Sequence, residues 1–201
     1  GKSDTSHTHD EYMTKADPVG SGSFSMNRKA DSAVGGYSST FGLDCTASAY
    51  YAHAEGHSTT ASEYASHAEG SNTTASGECS HAEGGHTTAS GYASHAEGYG
   101  ATASAYVSHA EGEYTTASGD YSHAEGHYTV ASGDYSHAAG YYTTANDYQY
   151  VVGKYNSARN PITSVDTVYS TSDSVTTTYP ALFIIGNGTD DTSRSNAFTV
   201  Y

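Results

Sequence analysis

The sequence predicts an all-β fold, a parallel β-roll (β-solenoid) built from coils of fourteen residues. Three observations predict it. The pentad "SHAEG" stands at Ser66–Gly70 and returns at Ser80–Gly84, Ser94–Gly98, Ser108–Gly112 and Ser122–Gly126. Alanine recurs every seven residues from Ala47 to Ala145, most copies being followed two residues on by glycine. Between Asp44 and Thr129 there is no Ile, Leu, Phe or Met, and the only Val is Val107. A stretch so poor in large apolar side chains cannot bury one globular core. Strict periodicity points instead to stacked repeats that bury a narrow continuous core between neighbours.

Taken in order, residues 1–28 read as an extended linker, mostly polar, with few apolar anchors such as Met13 and Phe24. Residues 29–146 hold the repeats. A helix is excluded there, since glycine in nearly every half-unit costs about 1 kcal/mol each and no Leu or Ile marks a seam. Two short strands per coil satisfy the pattern. Alternation along Ser66-His67-Ala68-Glu69-Gly70 puts Ser, Ala and Gly on one face, with His and Glu on the other. The seven-residue repeat makes Ala61 equivalent to Ala68, so Ala, Gly and small hydroxyls of both strands point into the coil. Variable positions, many of them tyrosine, fall at the corners. Residues 147–201 shift in composition and read as a small β cap, which hides the open end of the solenoid. Within it Tyr148–Tyr155 and Ala181–Ile185 read as strands, Ala197–Tyr201 as a last strand, and Asn160–Pro180 as a long loop or hairpin.

The chain of 201 residues carries 22 Asp and Glu against 7 Lys and Arg. That balance argues against nucleic acid or an anionic membrane surface as partner, both of which call for a basic footprint. No apolar run approaches the roughly 20 residues of a membrane span. The start at Gly1 and the stop inside a strand-like "FTVY" are read as those of a piece of something longer. Cys45 and Cys79 lie about 2.4 coils apart, roughly 11–12 Å at ~4.8 Å per layer, too far for a disulfide. Both are expected to be free.

The candidate site residues form columns. His53, His67, His81, His95, His109 and His123 alternate with Glu55, Glu69, Glu83, Glu97, Glu111 and Glu125. Histidine and glutamate at this spacing suit metal binding or acid/base work, but catalysis does not call for six equal copies. The ladder reads as structural, its members hydrogen-bonding to one another. Tyr64, Tyr92, Tyr106, Tyr114, Tyr128 and Tyr142 stand at corners and are the candidate surface contacts, because tyrosine presents an apolar face and a polar tip. The Thr pairs, such as Thr59-Thr60 and Thr87-Thr88, suggest ice binding as a remote alternative, weakened because the two members face opposite ways. No nucleophile motif is present, and the chain is not expected to be an enzyme.

The S-x-A-x-G pattern over Ala33–Ala145 resembles the head repeat of trimeric adhesins of the YadA type. That resemblance implies a left-handed β-roll, three chains about a threefold axis. The family has aliphatic residues at the two x positions where this chain has His and Glu. A closer resemblance is to tail-fibre proteins of phages and prophages of Gram-positive hosts. It is carried by "GSFSMNRKA" at Gly22–Ala30, the "SHAEG…TTASG" coils, "VVGKYN" at Val151–Asn156 and "FIIGNGTDDTSRSNAFTV" at Phe183–Val200. It implies a homotrimer on an extracellular virion fibre, non-catalytic over these segments, in contact with other fibre proteins and a host-surface glycan or protein. The alternative is a trimeric autotransporter-type surface adhesin head. His7-x-His9 is similar to H-x-H pairs that hold iron on the axis of some long tail fibres, so three chains would offer six imidazoles to one transition metal. No other cofactor is expected.

Overall fold

The computed structural model describes residues 23–30, 32–156, 183–187 and 196–200. These form an all-β parallel solenoid of about eight coils, with close to 14 residues per coil and no helix among the described residues. Each coil has a long strand and a short one. In the second "SHAEG" coil these are His81–Gly85 and Thr88–Ala89. Long strands pair in parallel only with long strands of the next coils, in the register His67↔His81, Ala68↔Ala82, Glu69↔Glu83 and Gly70↔Gly84. Short strands stack likewise, Thr74 on Thr88 and Ala75 on Ala89. Ser39–Ala47 feeds both columns, pairing with His53–His57 and with Thr60–Ala61. The identity of successive coils fixes this register: a slip of one residue would turn every His and Glu into the interior.

The interior is as small as the sequence demands. Alanines of both strands, among them Ala61, Ala68, Ala75 and Ala82, are wholly buried in one continuous cluster. Beside them lie the buried hydroxyl columns Thr59, Thr73 and Thr87 and Ser66, Ser80 and Ser94. The serines close the second corner of each coil, as when Ser80 Oγ donates to the Gly77 carbonyl at 2.6 Å. Cys45 occupies the Thr59 column, buried, its Sγ 3.4 Å from the Gly56 carbonyl; both it and the exposed Cys79 are free thiols.

One expectation on faces is corrected. The glycine that ends each pentad does not share the inward face with Ser and Ala. Gly70 is exposed, with φ +106°, because the chain leaves extended geometry there to enter the corner. A Cβ at Gly70 would lie 2.1 Å from the Gly84 carbonyl oxygen, so the close approach of coils as well as the dihedral requires glycine.

Both corners of every coil carry a residue in the left-handed region. Among the described residues, the non-glycine ones with positive φ run at steps of seven from Tyr37 through Asp44, Tyr51 and Ser58 to Tyr142, with Gly100 supplying one step, and continue at Tyr148 and Tyr155. This is why the corners repeat at half the coil period.

At the ends the stack extends past the sequence-read boundaries of the repeat. Phe24–Arg28, within the stretch read as linker, is a strand parallel to Ser39–Ala47. Tyr150–Lys154 stacks on His137–Tyr141 in a coil one residue shorter, His137 pairing with Tyr150. Phe183–Asn187 continues in parallel, and Asn196–Val200 pairs antiparallel to it. The short-strand column ends differently. Asn156 is fully buried, its Oδ1 accepting from Thr144 N–H at 2.7 Å and its Nδ2 donating to the Thr144 carbonyl at 2.8 Å. One side-chain amide thus takes the place of the next short strand. His7, His9 and the expected loop Asn160–Pro180 lie outside the described residues. No helix among the described residues is long and apolar enough to cross a membrane.

Candidate functional site

The long strands hold the His and Glu columns on their outward face because Ala, between them, points inward. In-register stacking then brings like on like. His67 and His81 rings lie parallel at 4.6 Å between centroids, His81 and His95 at 4.8 Å, and His109 and His123 at 4.7 Å. The side chains are about one-third exposed. Across coils Glu69, Glu83 and Glu111 face the histidine of the next: His81 Nε2 is 3.5 Å from Glu69 Oε1, His95 Nε2 3.6 Å from Glu83 Oε1, and His123 Nε2 3.6 Å from Glu111 Oε1. His137, a further member of the column, is 3.4 Å from Glu125. These are contacts longer than a good hydrogen bond. The Nε2 atoms of His67, His81, His95, His109, His123 and His137 are buried without a hydrogen-bond partner. His53 differs, its Nδ1 2.6 Å from Ser39 Oγ and its Nε2 3.4 Å from Glu55 of the same strand.

An open groove follows the glutamates, floored by the pentad glycines Gly70, Gly84, Gly98, Gly112 and Gly126. Carboxylates stacked at strand spacing cannot all ionise. Hydrogen bonds to Glu97 and Glu69, then burial, push Glu83 up to about 7. Hydrogen bonding to Glu97, then burial and a hydrogen bond to Glu125, push Glu111 up to about 7. The neighbours Glu69, Glu97 and Glu125 are held below the ordinary carboxylate value, chiefly by the hydrogen bonds they receive from these two. Protonated and ionised carboxyl groups therefore alternate. Burial first, and neighbouring imidazoles second, lower His67, His95, His109 and His123 below the ordinary imidazole value, so these four rings favour the neutral form at pH 7.

The tyrosine candidates divide between the two corners. Tyr64, Tyr92 and Tyr106 lie at the corner before each long strand, Tyr114, Tyr128 and Tyr142 at the corner after it. The first ladder runs Tyr92–Tyr106–Tyr121–Tyr135–Tyr148 at 5.1, 5.3, 5.2 and 5.6 Å. The second runs Tyr99–Tyr114–Tyr128–Tyr142–Tyr155 at 5.5, 4.9, 4.7 and 5.1 Å. Tyr64 packs edge-on against Tyr51, apart from Tyr92 because Glu78 takes the intervening position. The sequence reading missed Tyr121, Tyr135 and Tyr148, which sit one position along the corner from Tyr106. The signal that finds them is the seven-residue recurrence of left-handed residues, visible only in dihedrals. At that corner Asp134 Oδ1 accepts from Asp120 N–H at 3.0 Å and Asp147 Oδ1 from Asp134 N–H at 3.1 Å, so an aspartate column ties the coils together beneath the rings.

No family model matches the chain, and no curated protein matches it.

Proposed function

We propose that the chain is a structural and adhesive segment of a trimeric tail fibre of a phage or phage-derived particle, acting outside the cell in host-surface attachment. The observation that carries this reading is the equivalence of the coils. The most reactive side chains occur in columns of like copies at identical register, which makes a rigid spacer with a periodic surface. The resemblance of the "SHAEG" coils and flanking segments to fibre proteins supplies the biological setting. The ladders of exposed tyrosine supply contact area: flat rings with hydroxyl tips fit the apolar faces and hydroxyls of a host glycan, or a protein surface.

The test replaces Tyr92, Tyr106, Tyr121 and Tyr135 with Ser and measures retention of the labelled chain on Gram-positive cells or isolated walls. The proposal expects binding by the parent and at least a tenfold loss in the variant, with the far-UV strand signature unchanged. Equal retention of parent and variant contradicts the contact role.

A further inference from the structure

We propose that the His/Glu face is a row of binding sites for first-row divalent transition ions, with zinc as the reference ion, each ion held between two adjacent coils. Among the described residues there are three groups whose ligand atoms all lie within 4.8 Å of one another. The first is His67, Glu69 and His81; the second is Glu83, His95 and Glu97; the third is His109, Glu111 and His123. They share no residue, and together they use every rung from His67 to His123 once. Successive sites therefore alternate in donor set, two imidazoles and a carboxylate in the first and third, one imidazole and two carboxylates in the second.

Donor chemistry and geometry agree. Two imidazoles and a carboxylate, the donors of the first and third groups, form a common ligand set for zinc, whose bonds of about 2.0–2.2 Å put adjacent tetrahedral donors roughly 3.3–3.5 Å apart. The His–Glu edges of the three groups measure 3.5, 3.6 and 3.6 Å. The remaining edges close by rotation of side chains that are one-third exposed. The column tolerates such tilting, since His53 stands at 69° to His67 and His137 at 85° to His123. A second observation points the same way. The Nε2 atom of every histidine in the three groups is buried and lacks a hydrogen-bond partner. A ring nitrogen removed from water without a hydrogen-bond partner is a position that an ion can satisfy. A net charge of −15 adds a field that draws cations to the surface.

The test titrates Zn²⁺ into the full chain carrying His7→Ala and His9→Ala, so that only the ladder reports, and counts ions retained after gel filtration by elemental analysis. The expected result is two to three ions per chain, with Ca²⁺ failing to compete. The double variant His81→Gln/His123→Gln, made in the same background, loses the two sites that contain a pair of imidazoles. Because a substituted ladder could fold poorly, ¹⁵N-imidazole spectra of the unsubstituted ladder provide a second readout, in which the Nε2 resonances of His67, His81, His109 and His123 shift on saturation. Fewer than two ions in the parent, an unchanged count in the double variant, or Nε2 resonances that do not move overturn the proposal.

Discussion

At the scale of single residues, the fold asks L-amino acids to do at each corner what glycine does most easily. Asn72, Asp44 and Gly100 suit the left-handed region, but Val107 is β-branched and sits there at φ 51°. Its side chain is 40 % exposed, so little burial is lost on replacing it. Val107→Asn is expected to raise unfolding stability by about 1 kcal/mol, the order of the left-handed penalty that asparagine largely escapes. Denaturant titration of both chains checks it, and an unchanged or lower midpoint would show that Val107 is not strained. The inward alanines were legible in the sequence because strand alternation is strict between Ser66 and Glu69. The outward turn of Gly70 was not, because the break in alternation is a dihedral event and glycine's letter fits either face. Val107, by contrast, reads in the sequence as an ordinary strand former.

At the scale of the elements, the ladder and the strand ends carry the predictions. Folded Glu83 and Glu111 hold a proton up to about pH 7, against an ordinary value of 4.5. Since the folded value is the higher one, the stability linked to those protons is full below pH 4.5 and is lost as the pH rises through 7. The lowered histidines act with the opposite sign: their stability is present above the ordinary imidazole value of 6.5 and is lost as the pH falls through their folded values. The two effects oppose each other between pH 5 and 8, so a flat profile of the parent chain does not show that the ladder is inert. Glu83→Gln/Glu111→Gln removes the first effect alone. The melting temperature of this variant relative to the parent is expected to be higher at pH 8 than at pH 5, and a difference independent of pH would contradict the shared-proton ladder. Asn156 tests the short-strand column. Asn156→Ala leaves the Thr144 N–H and carbonyl without their partner and is expected to cost about 2–4 kcal/mol. Asn156→Asp keeps the acceptor, loses the donor, and should fall between; equality of all three by calorimetry would mean the amide does not close the column. The strands themselves could be read from period and composition. The role of Asn156 could not, because a single asparagine in "VVGKYN" looks like any turn residue until its amide is placed on Thr144.

At the scale of the whole molecule, the chain gains length with little apolar mass. Alanine, serine and threonine fill the narrow interior, while backbone hydrogen bonds such as His67 N–H to the Ser80 carbonyl, 2.9 Å, run from coil to coil without interruption. The outer surface then repeats whatever the sequence repeats: a histidine column, a glutamate groove and two tyrosine ladders. Periodicity made the solenoid and the His/Glu rungs readable in advance. The tyrosine ladders were only half readable, since Tyr106 and Tyr121 belong to different sequence columns and meet only because neighbouring corner positions overlap in space. A periodic surface of this kind suits a spacer that presents one contact many times, and three such rolls side by side suit a fibre. The most direct measurement is the molar mass of the chain in solution by light scattering. A mass three times the 20.9 kDa of one chain is the expected result; a stable monomer across the accessible concentration range would contradict the trimeric fibre.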